Sequence, residues 1–292
     1  MIRVILSGGL GNQMFEYASA FAWAKETGDD LLIDTSFFDV YGDRSWCRPY
    51  ELVSFALHET TKVTRRGRLA IRVLPKLSLY CRKRGTFHLG RYLFDADNWA
   101  EARKYHSSVL YGYFANCHLF EMHRDELLKA FSFRYAPDAA NARLLQQIDS
   151  CQSVSVHIRR GDYLNSANAG VFHHPTVEWY QAAMRQISEQ VENPVWFFFS
   201  DDMQWVKEQF ADVQNSVFVD TNHSANAYND MRLMSRCRHN IIANSSFSWW
   251  GAWLNTNPQK IVIAPDKYYN DDNANKKKYL SRMIPQDWKV LE

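Results

Sequence analysis

Apolar and polar positions at the start of the chain follow the order strand, turn, helix, strand. Residues 2–6 are a short apolar run with β-branched side chains, and residues 14–25 repeat apolar positions at the spacing of a helix. The glycine-rich residues 7–13 predict a turn between them, Gly28 ends the helix, and residues 31–33 predict the next strand. This order is the beginning of an α/β domain.

The second half of the chain repeats this alternation more clearly. Apolar runs predict strands at residues 154–158, 195–199, 217–219, 240–243 and 261–264. Helical spacing lies between them at residues 176–190, 203–210, 225–238 and 247–254. Strands that alternate with helices predict right-handed crossovers and a mostly parallel sheet, which binds ligands at the carboxyl ends of its strands. Asp201 and Asp202 follow the second of these strands and can cap the next helix.

Residues 36–140 are less clearly patterned, although residues 109–114 are a candidate strand. A Pro-Asp pair at residues 137 and 138 predicts a boundary in the following segment. A chain of 292 residues has the length of about two domains. We therefore expect two α/β domains, residues 1–140 and 141–292, that face each other across a cleft.

The composition, with 46% hydrophobic and 23% charged residues, excludes a disordered or fibrous protein. The net charge is only +2, but residues 62–91 hold ten Lys and Arg and no Asp or Glu, which leaves 24 basic against 32 acidic residues elsewhere. That balance argues against a nucleic-acid partner. The basic stretch has two interpretations: a solvated face, or weak attachment to anionic lipid, since residues 71–74 and 77–80 interleave apolar and other side chains.

The five cysteines are odd in number and scattered, without a Cys-x-x-Cys pair, so neither a disulfide framework nor a zinc site is expected. No apolar run of about 18 residues is present, which predicts no membrane span. The expected location is cytoplasmic, with peripheral contact at the inner face of the membrane through residues 62–91.

One constellation follows the strand at residues 154–158, where His157 and Arg159 share a face and Arg160, Gly161 and Asp162 come next. Two adjacent guanidinium groups at a strand end are costly to bury without anions, and arginine matches phosphate oxygens well. A diphosphate site is one interpretation. A structural pair of Arg160 with Asp162 that fixes a loop is the other.

A second constellation joins Asp230 to the serine-rich turn of Ser245 and Ser246. Main-chain N–H groups and hydroxyls at a helix start can bind phosphate, although either serine can also be a simple N-cap above a core of aromatic residues. Asp230 can likewise be an N-cap. Alternatively, its carboxylate can accept the two hydrogen bonds that the edge of a guanine base donates.

The third constellation is the glycine-rich stretch of residues 7–13. It contains neither a P-loop nor a Gly-x-Gly-x-x-Gly pattern. Gly9 and Gly11 would let the backbone approach a ligand, and Asn12 and Gln13 offer amide donors at a helix start. A tight strand-to-helix turn with no ligand is the alternative.

Three segments in order, residues 8–15, 157–163 and 230–255, resemble the bacterial α-1,2-fucosyltransferases of glycosyltransferase family 11. The resemblance implies a GT-B-type fold of two Rossmann-like α/β domains, with the acceptor on the N-terminal side and the GDP-sugar in the C-terminal domain. It implies inverting transfer of L-fucose from GDP-β-L-fucose to O2 of a terminal galactose of a glycan. It implies no metal and no other cofactor.

The resemblance also implies roles for single residues. Arg159 would bind the β-phosphate, Asp230 the guanine and Ser246 a phosphate. His157, Arg160 and Ser245 join them as expected substrate-binding residues, together with residues of the first turn: Gly9, Gly11, Asn12 and Gln13. Asp162 is the candidate base, because residues 165–172 contain no acid where related α-1,6 enzymes are thought to have one. Weaker candidates for the base are Glu16, His173 and His174.

Two other functions fit parts of the sequence. Asp95 and Asp97 form an Asp-x-Asp pattern that could hold a divalent metal in a GT-A-type glycosyltransferase. The 15% aromatic content is compatible with a non-catalytic glycan-binding module. Paired arginines at a strand end have no evident purpose in such a module.

Overall fold

The computed structural model describes residues 1–45, 47–58, 61–65, 68–84, 86, 88–94, 108–161, 170–223 and 226–292. The chain divides into two compact units, Met1–Tyr135 and Ala136–Glu292. The division precedes the boundary expected at residues 140 and 141, because the helix that begins at Ala139, capped by Asp138, belongs to the second unit.

The first unit contains a mixed sheet flanked by helices. Its strands are β1 (Ile2–Ile5), β2 (Leu31–Asp34), β3 (Lys62–Thr64), β4 (His88–Leu89), β5 (Tyr92–Phe94) and β6 (Val109–Tyr111). Among the described residues they lie in the order β3-β2-β1-β6-β5-β4, and all neighbours are parallel except β4 and β5. Its α-helices are α1 (Leu10–Thr27), α2 (Ser36–Tyr41), α3 (Arg68–Lys83) and α4 (Arg124–Ala130), with short 3₁₀ turns at Leu52–Ser54, Cys117–Leu119 and Glu121–His123.

Helix α1 begins earlier than the sequence pattern indicated. The turn predicted at residues 7–13 is confined to its first three residues, because Gly8 adopts a left-handed φ of 67° and lets the chain enter the helix at Leu10. Gly28, with φ 68°, ends α1 as predicted, since glycine takes this conformation without steric cost.

The second unit is a parallel sheet with helices in its crossovers. Its strands are β7 (Gln152–Ile158), β8 (Pro194–Ser200), β9 (Ser216–Phe218), β10 (His239–Ile241), β11 (Val262–Pro265) and β12 (Lys289–Leu291). In the described part of the chain their order is β12-β11-β10-β7-β8-β9, with every pairing parallel. The helices are α5 (Ala139–Asp149), α6 (Val177–Ser188), α7 (Met203–Gln209), α8 (Tyr228–Arg236) and α9 (Ser246–Leu254), and short helical segments follow at Asp272–Ala274, Asn275–Leu280 and Ser281–Met283. The strands and helices predicted for this half are confirmed, with ends shifted by a few residues.

Strand β7 is buried on both faces, as expected of a central strand in such a sheet. Val154, Val156 and Ile158 pack into the apolar core with aromatic side chains of β8, including Phe198. Ser155 lies on the opposite face, where its hydroxyl accepts a hydrogen bond from the Asn240 side chain at 2.7 Å. The strand order of the sheet places the carboxyl ends of β10, β7 and β8 side by side. No helix of the described ranges is long and apolar enough to cross a bilayer.

Candidate functional site

Two arginines, two aspartates and a serine turn of the second half follow neighbouring strands at one edge of its sheet. Arg159, Arg160 and Gly161 follow β7, Asp201 and Asp202 follow β8, and residues 244–246 follow β10. Because β7 lies between β8 and β10, the arginines stand between a pair of carboxylates and a helix N-terminus. This edge is where parallel α/β sheets bind ligands.

Asp201 organises the segment after β7. Its carboxylate lies 3.0 Å from Arg159 Nη1, and it accepts the main-chain N–H groups of Arg160 at 2.9 Å and Gly161 at 3.0 Å. A Cβ atom on Gly161 would come within 2.6 Å of Asp201 Oδ2, so only glycine allows this close approach. The Arg159 guanidinium is therefore held in one place before any ligand binds.

Arg160 pairs with a carboxylate that the sequence did not indicate as its partner. Its Nε atom lies 3.1 Å from Asp202 Oδ2, and its guanidinium carbon stands 3.7 Å from the ring centre of Trp205. Asp162, the partner predicted from sequence and the candidate base, lies outside the described residues. Asp202 also caps α7 by accepting the Trp205 N–H at 3.3 Å, which confirms the predicted cap.

His157 lies below the arginines and is only 5% exposed. Burial, together with the charge of Arg159, lowers the pKa of His157 to about 4, so the ring is neutral at pH 7. Its ring centre is 5.9 Å from that of Phe247 in α9. Within the described part of the chain, the buried Nδ1 atom has no hydrogen-bond partner. The structure places this residue as a neutral support beside Arg159, and direct contact with a substrate remains a prediction.

Ser245 and Ser246 open helix α9 next to this position. Ser245 is the N-cap and accepts the N–H of Phe247 at 3.3 Å, so the capping interpretation of this serine is confirmed. Ser246 is the first helical residue and is half-buried. Trp249 and Trp250 are buried core, as the alternative interpretation of this helix expected. The turn is stabilised by Asn244, whose Nδ2 donates to the carbonyls of His173 and Tyr268 at 2.6 and 3.0 Å.

Asp230 is not an N-cap, because α8 begins after Ala227 and Asp230 is its third residue. Its Oδ1 accepts a hydrogen bond from Asn222 Nδ2 at 2.7 Å, and Asn222 exchanges two further bonds of 2.9 Å with Asn141. Burial raises the pKa of Asp230 to about 7 despite this hydrogen bond. The result is a half-buried acceptor of hydrogen bonds whose charge changes near neutral pH.

In the first unit, Gln13 has a structural role. This corrects the expectation that its amide donates hydrogen bonds to a substrate. Gln13 is fully buried; its Nε2 donates to the carbonyls of Gly8 and Pro49 at 2.9 and 2.8 Å, and its Oε1 accepts from Glu51 N at 2.9 Å. Both ends of the amide are thus occupied by the protein itself.

Glu16 is corrected in the same way. It is fully buried, and its carboxylate accepts the main-chain N–H and the hydroxyl of Ser7 at 2.8 and 2.7 Å, so it fixes the loop and does not serve as a base.

Gly9, Gly11 and Asn12 lie at the start of α1, where the structure favours the tight-turn interpretation. Gly9 precedes the helix, and its carbonyl accepts the N–H of Asn12 at 3.0 Å. The N–H of Leu10 donates to the carboxylate of Glu51 at 3.0 Å, so a protein anion already stands at this helix N-terminus. Substrate contacts of the three residues remain predictions.

The partners of the arginines and the asparagines beside Asp230 were not predicted from the sequence. Asp201 and Asp202 were interpreted only as helix caps, although adjacent parallel strands would have brought them next to the arginines. Asn141 and Asn222 are 81 residues apart, and no local pattern connects them. His173 and His174, the weaker base candidates, are half-buried before α6, and burial lowers the pKa of His173.

The described residues contain no group of three His, Cys, Asp or Glu side chains arranged as ligands of one metal ion. Asp95 and Asp97, the metal ligands in the GT-A alternative, lie outside the described residues.

Comparison with known proteins gives a consistent result. The model of glycosyl transferase family 11 matches residues 93–291. The O-antigen biosynthesis glycosyltransferase WbnK of Escherichia coli is 33% identical, with 93% of this chain and 96% of WbnK covered. An α-1,2-colitosyltransferase of Escherichia coli is also 33% identical, with 92% of this chain and 93% of that protein covered.

Among solved structures, the NodZ α-1,6-fucosyltransferase of Bradyrhizobium, co-crystallised with GDP, has a TM-score of 0.55 at 17% identity, over 86% of this chain and 91% of that chain. A likeness at this identity concerns the fold. Together with the two mainly parallel sheets, it confirms the predicted fold class, two Rossmann-like α/β domains of the GT-B type.

Proposed function

This chain belongs to glycosyltransferase family 11, and we propose that it transfers L-fucose from GDP-β-L-fucose to O2 of a terminal galactose of a glycan, with inversion. One observation carries the proposal: two guanidinium groups fixed by carboxylates follow β7, beside the end of the neighbouring β10, from which the chain leads to the N-terminus of α9. A strand-end cation pair beside main-chain N–H groups suits a diphosphate.

The diphosphate is the group that needs most stabilisation in such a transfer. As the bond between the sugar and the β-phosphate breaks, negative charge grows on the departing GDP while the sugar becomes oxocarbenium-like. In the proposed mechanism Arg159 donates hydrogen bonds to the β-phosphate. Arg160, the first N–H groups of α9 and the Ser246 hydroxyl donate further hydrogen bonds to the diphosphate. Positive side chains would then perform the role that a divalent cation has in metal-dependent transferases.

Asp230 supports guanine as the base of the donor. Guanine presents a ring N–H and an exocyclic amine on one edge, and a carboxylate is the side chain best suited to accept both. Asn222 donates to Oδ1 of Asp230 and fixes the carboxylate; among the residues that the structure describes, Oδ2 and the second lone pair of Oδ1 are left as acceptor positions. Because all these residues lie in the second unit, we assign the donor to that unit (Ala136–Glu292) and the acceptor to the first (Met1–Tyr135).

The acceptor hydroxyl must lose a proton, and we keep Asp162 as the proposed base. It follows Gly161 directly in the chain, close in sequence to the arginines that would hold the leaving group. His157 is excluded as a cationic acid at neutral pH, because its pKa is about 4.

Colitose is a second candidate for the transferred sugar, because an α-1,2-colitosyltransferase is 33% identical over nearly the whole chain. Colitose lacks the 3-hydroxyl of L-fucose. A site that hydrogen-bonds that hydroxyl would reject GDP-colitose strongly, whereas a site that does not would accept both donors.

The proposal is tested by incubating the protein with GDP-fucose, GDP-colitose and GDP-mannose and a panel of galactose-ended glycans, and locating the new linkage by NMR. We expect α-1,2-linked fucose on galactose, formed at an unchanged rate in excess EDTA. Transfer of colitose but not of fucose would identify GDP-colitose as the donor in place of GDP-fucose. Activity that EDTA removes and Mn²⁺ restores would favour the metal-dependent alternative. Glycan binding without any GDP binding would indicate a non-catalytic module.

A further inference from the structure

Helix α3 (Arg68–Lys83) has an exposed face that the packing of its own unit does not explain. Its opposite face is buried: Ile71, Leu74 and Cys81 are at most 1% exposed and pack with side chains of the first sheet. Only this side of α3 is therefore needed for packing within the first unit. Pro75 lies inside the helix and does not end it.

The outward face combines apolar and cationic side chains along one stripe. Positions three and four apart share a helix face, and here they expose Leu69 by 85%, Val73 by 50% and Tyr80 by 49%. Exposed cationic side chains lie between and beside these three at Arg72, Lys76, Lys83 and Arg84. Such a mixture differs from an ordinary solvated face, which would not expose large aliphatic groups at its centre.

The segments before and after the helix also carry exposed cations. Arg65 and Arg91, in segments that flank the helix in sequence, are exposed. Two basic residues near the beginning of residues 62–91 form ion pairs with acidic residues outside that range: Lys62 with Asp30 at 2.9 Å and Arg68 with Asp39 at 3.2 Å. Residues 62–91 contain no acidic side chain of their own, so the positive charge is largely uncompensated within the stretch.

We propose that this face of α3 binds the surface of an anionic lipid membrane, with Leu69, Val73 and Tyr80 entering the headgroup boundary and the cations contacting lipid phosphates. Long basic side chains beside aliphatic groups suit an interface in which the apolar part is buried and the charged ends stay wet. Nucleic acid offers phosphates but no apolar layer, so it would leave Leu69 and Val73 without a partner.

The proposal is tested by sedimenting the full chain with vesicles of phosphatidylcholine, with and without phosphatidylglycerol, at low and high salt. We expect binding only to the anionic vesicles and weakening by salt. Each cation near such a surface strengthens partitioning about fivefold, so R72Q/K76Q should weaken it about 25-fold. The matched control R143Q/R185Q removes two exposed charges from the second unit and should change partitioning less than about twofold.

The apolar contribution has its own variant, L69S/V73S, which keeps every charge. It should reduce the binding that remains at high salt, and both positions are exposed, so thermal unfolding should stay unchanged. Equal binding to neutral vesicles, equal losses in the control, or no sedimentation at all would overturn the proposal. Binding to heparin or duplex DNA without binding to vesicles would overturn it in favour of a polyanion site.

Discussion

Among single residues, Arg159 has the largest role in the proposed chemistry, because its guanidinium is fixed by Asp201 at the strand end where the leaving group would lie. We expect Arg159→Ala to lower kcat by about 10²–10³-fold, the usual effect of losing one donor to a developing anion. Arg159→Lys should recover only part of this, since lysine lacks the planar fork of donors. Steady-state kinetics with GDP-fucose measure both variants.

Arg185→Ala is the matched control for that series, because Arg185 is exposed on α6. Its kcat should equal that of the wild type. Circular dichroism should show Arg159→Ala to be folded, and turnover by that variant close to the wild-type rate would refute the role.

The proposed guanine contact of Asp230 would make nucleotide binding depend on pH. In the free protein its pKa is about 7, and only the ionised carboxylate can accept both donors of guanine. GDP affinity should therefore increase about tenfold between pH 6 and pH 8. Asp230→Asn should bind GDP more weakly at pH 8 and should lack the pH dependence that Asp230 causes. Titration of the β-phosphate of GDP affects both proteins equally, so the comparison separates the two effects. Calorimetry across the pH range measures both; an equal pH dependence in wild type and variant would contradict the assignment.

The same substitution should stabilise the fold. The folded-state pKa of Asp230, about 7, exceeds the value of 3.8 expected when unfolded, so the native protein binds more protons between these values. Its stability then falls as pH rises from about 4 to 7, and the ionised group costs roughly 2–4 kcal/mol at pH 8. Asp230→Asn should raise the free energy of unfolding at pH 8, with a gain that shrinks towards pH 4. Denaturant titrations of both proteins at pH 4 and pH 8 measure this gain. An equal difference in the free energy of unfolding at the two pH values would contradict the account.

Among the elements, the loop after β7 depends on contact with the end of β8. Gly161→Ala should displace the Asp201 carboxylate, because the added Cβ would lie 2.6 Å from Oδ2, and with it the Arg159 side chain. We expect kcat/KM to fall at least tenfold with little loss of stability, since Gly161 is exposed. Gly170→Ala, whose Cβ would meet nothing within 4 Å, should leave activity unchanged. Equal activity in the two variants would show that the loop geometry is unimportant.

The start of α1 is expected to act on stability instead. Gln13→Ala removes three hydrogen bonds, one to Gly8 in the loop after β1 and two to residues 49 and 51, and should destabilise the protein by about 2–4 kcal/mol. Thermal unfolding measures the loss. A stable variant with a raised KM for the acceptor would restore Gln13 as a substrate-binding residue.

At the scale of the whole molecule, strands and helices with a regular apolar pattern were predictable from the sequence. Pairs of side chains that are distant in sequence were not. The apolar runs of the second half are regular, so its strands β7 to β11 and helices α6 to α9 were predicted from the sequence, whereas α5 and β12 were not. The arginine constellation was visible because its members are adjacent. Asp201 as the partner of Arg159 was missed, since it lies on another strand, and the Asn141–Asn222 pair depends on a contact across 81 residues. The weakly patterned middle could not be assigned, and Gln13 was misinterpreted because its partners come from residues 49 and 51.

The central claim is that arginines and a helix N-terminus on the second sheet neutralise the departing diphosphate. A crystal structure of the protein with GDP tests it most directly. We predict β-phosphate oxygens within hydrogen-bond distance of the Arg159 guanidinium and of the first N–H groups of α9, with the guanine edge on Asp230. GDP bound away from residues 157–161 and 244–246, or a cation bridging its phosphates in their place, would contradict the account.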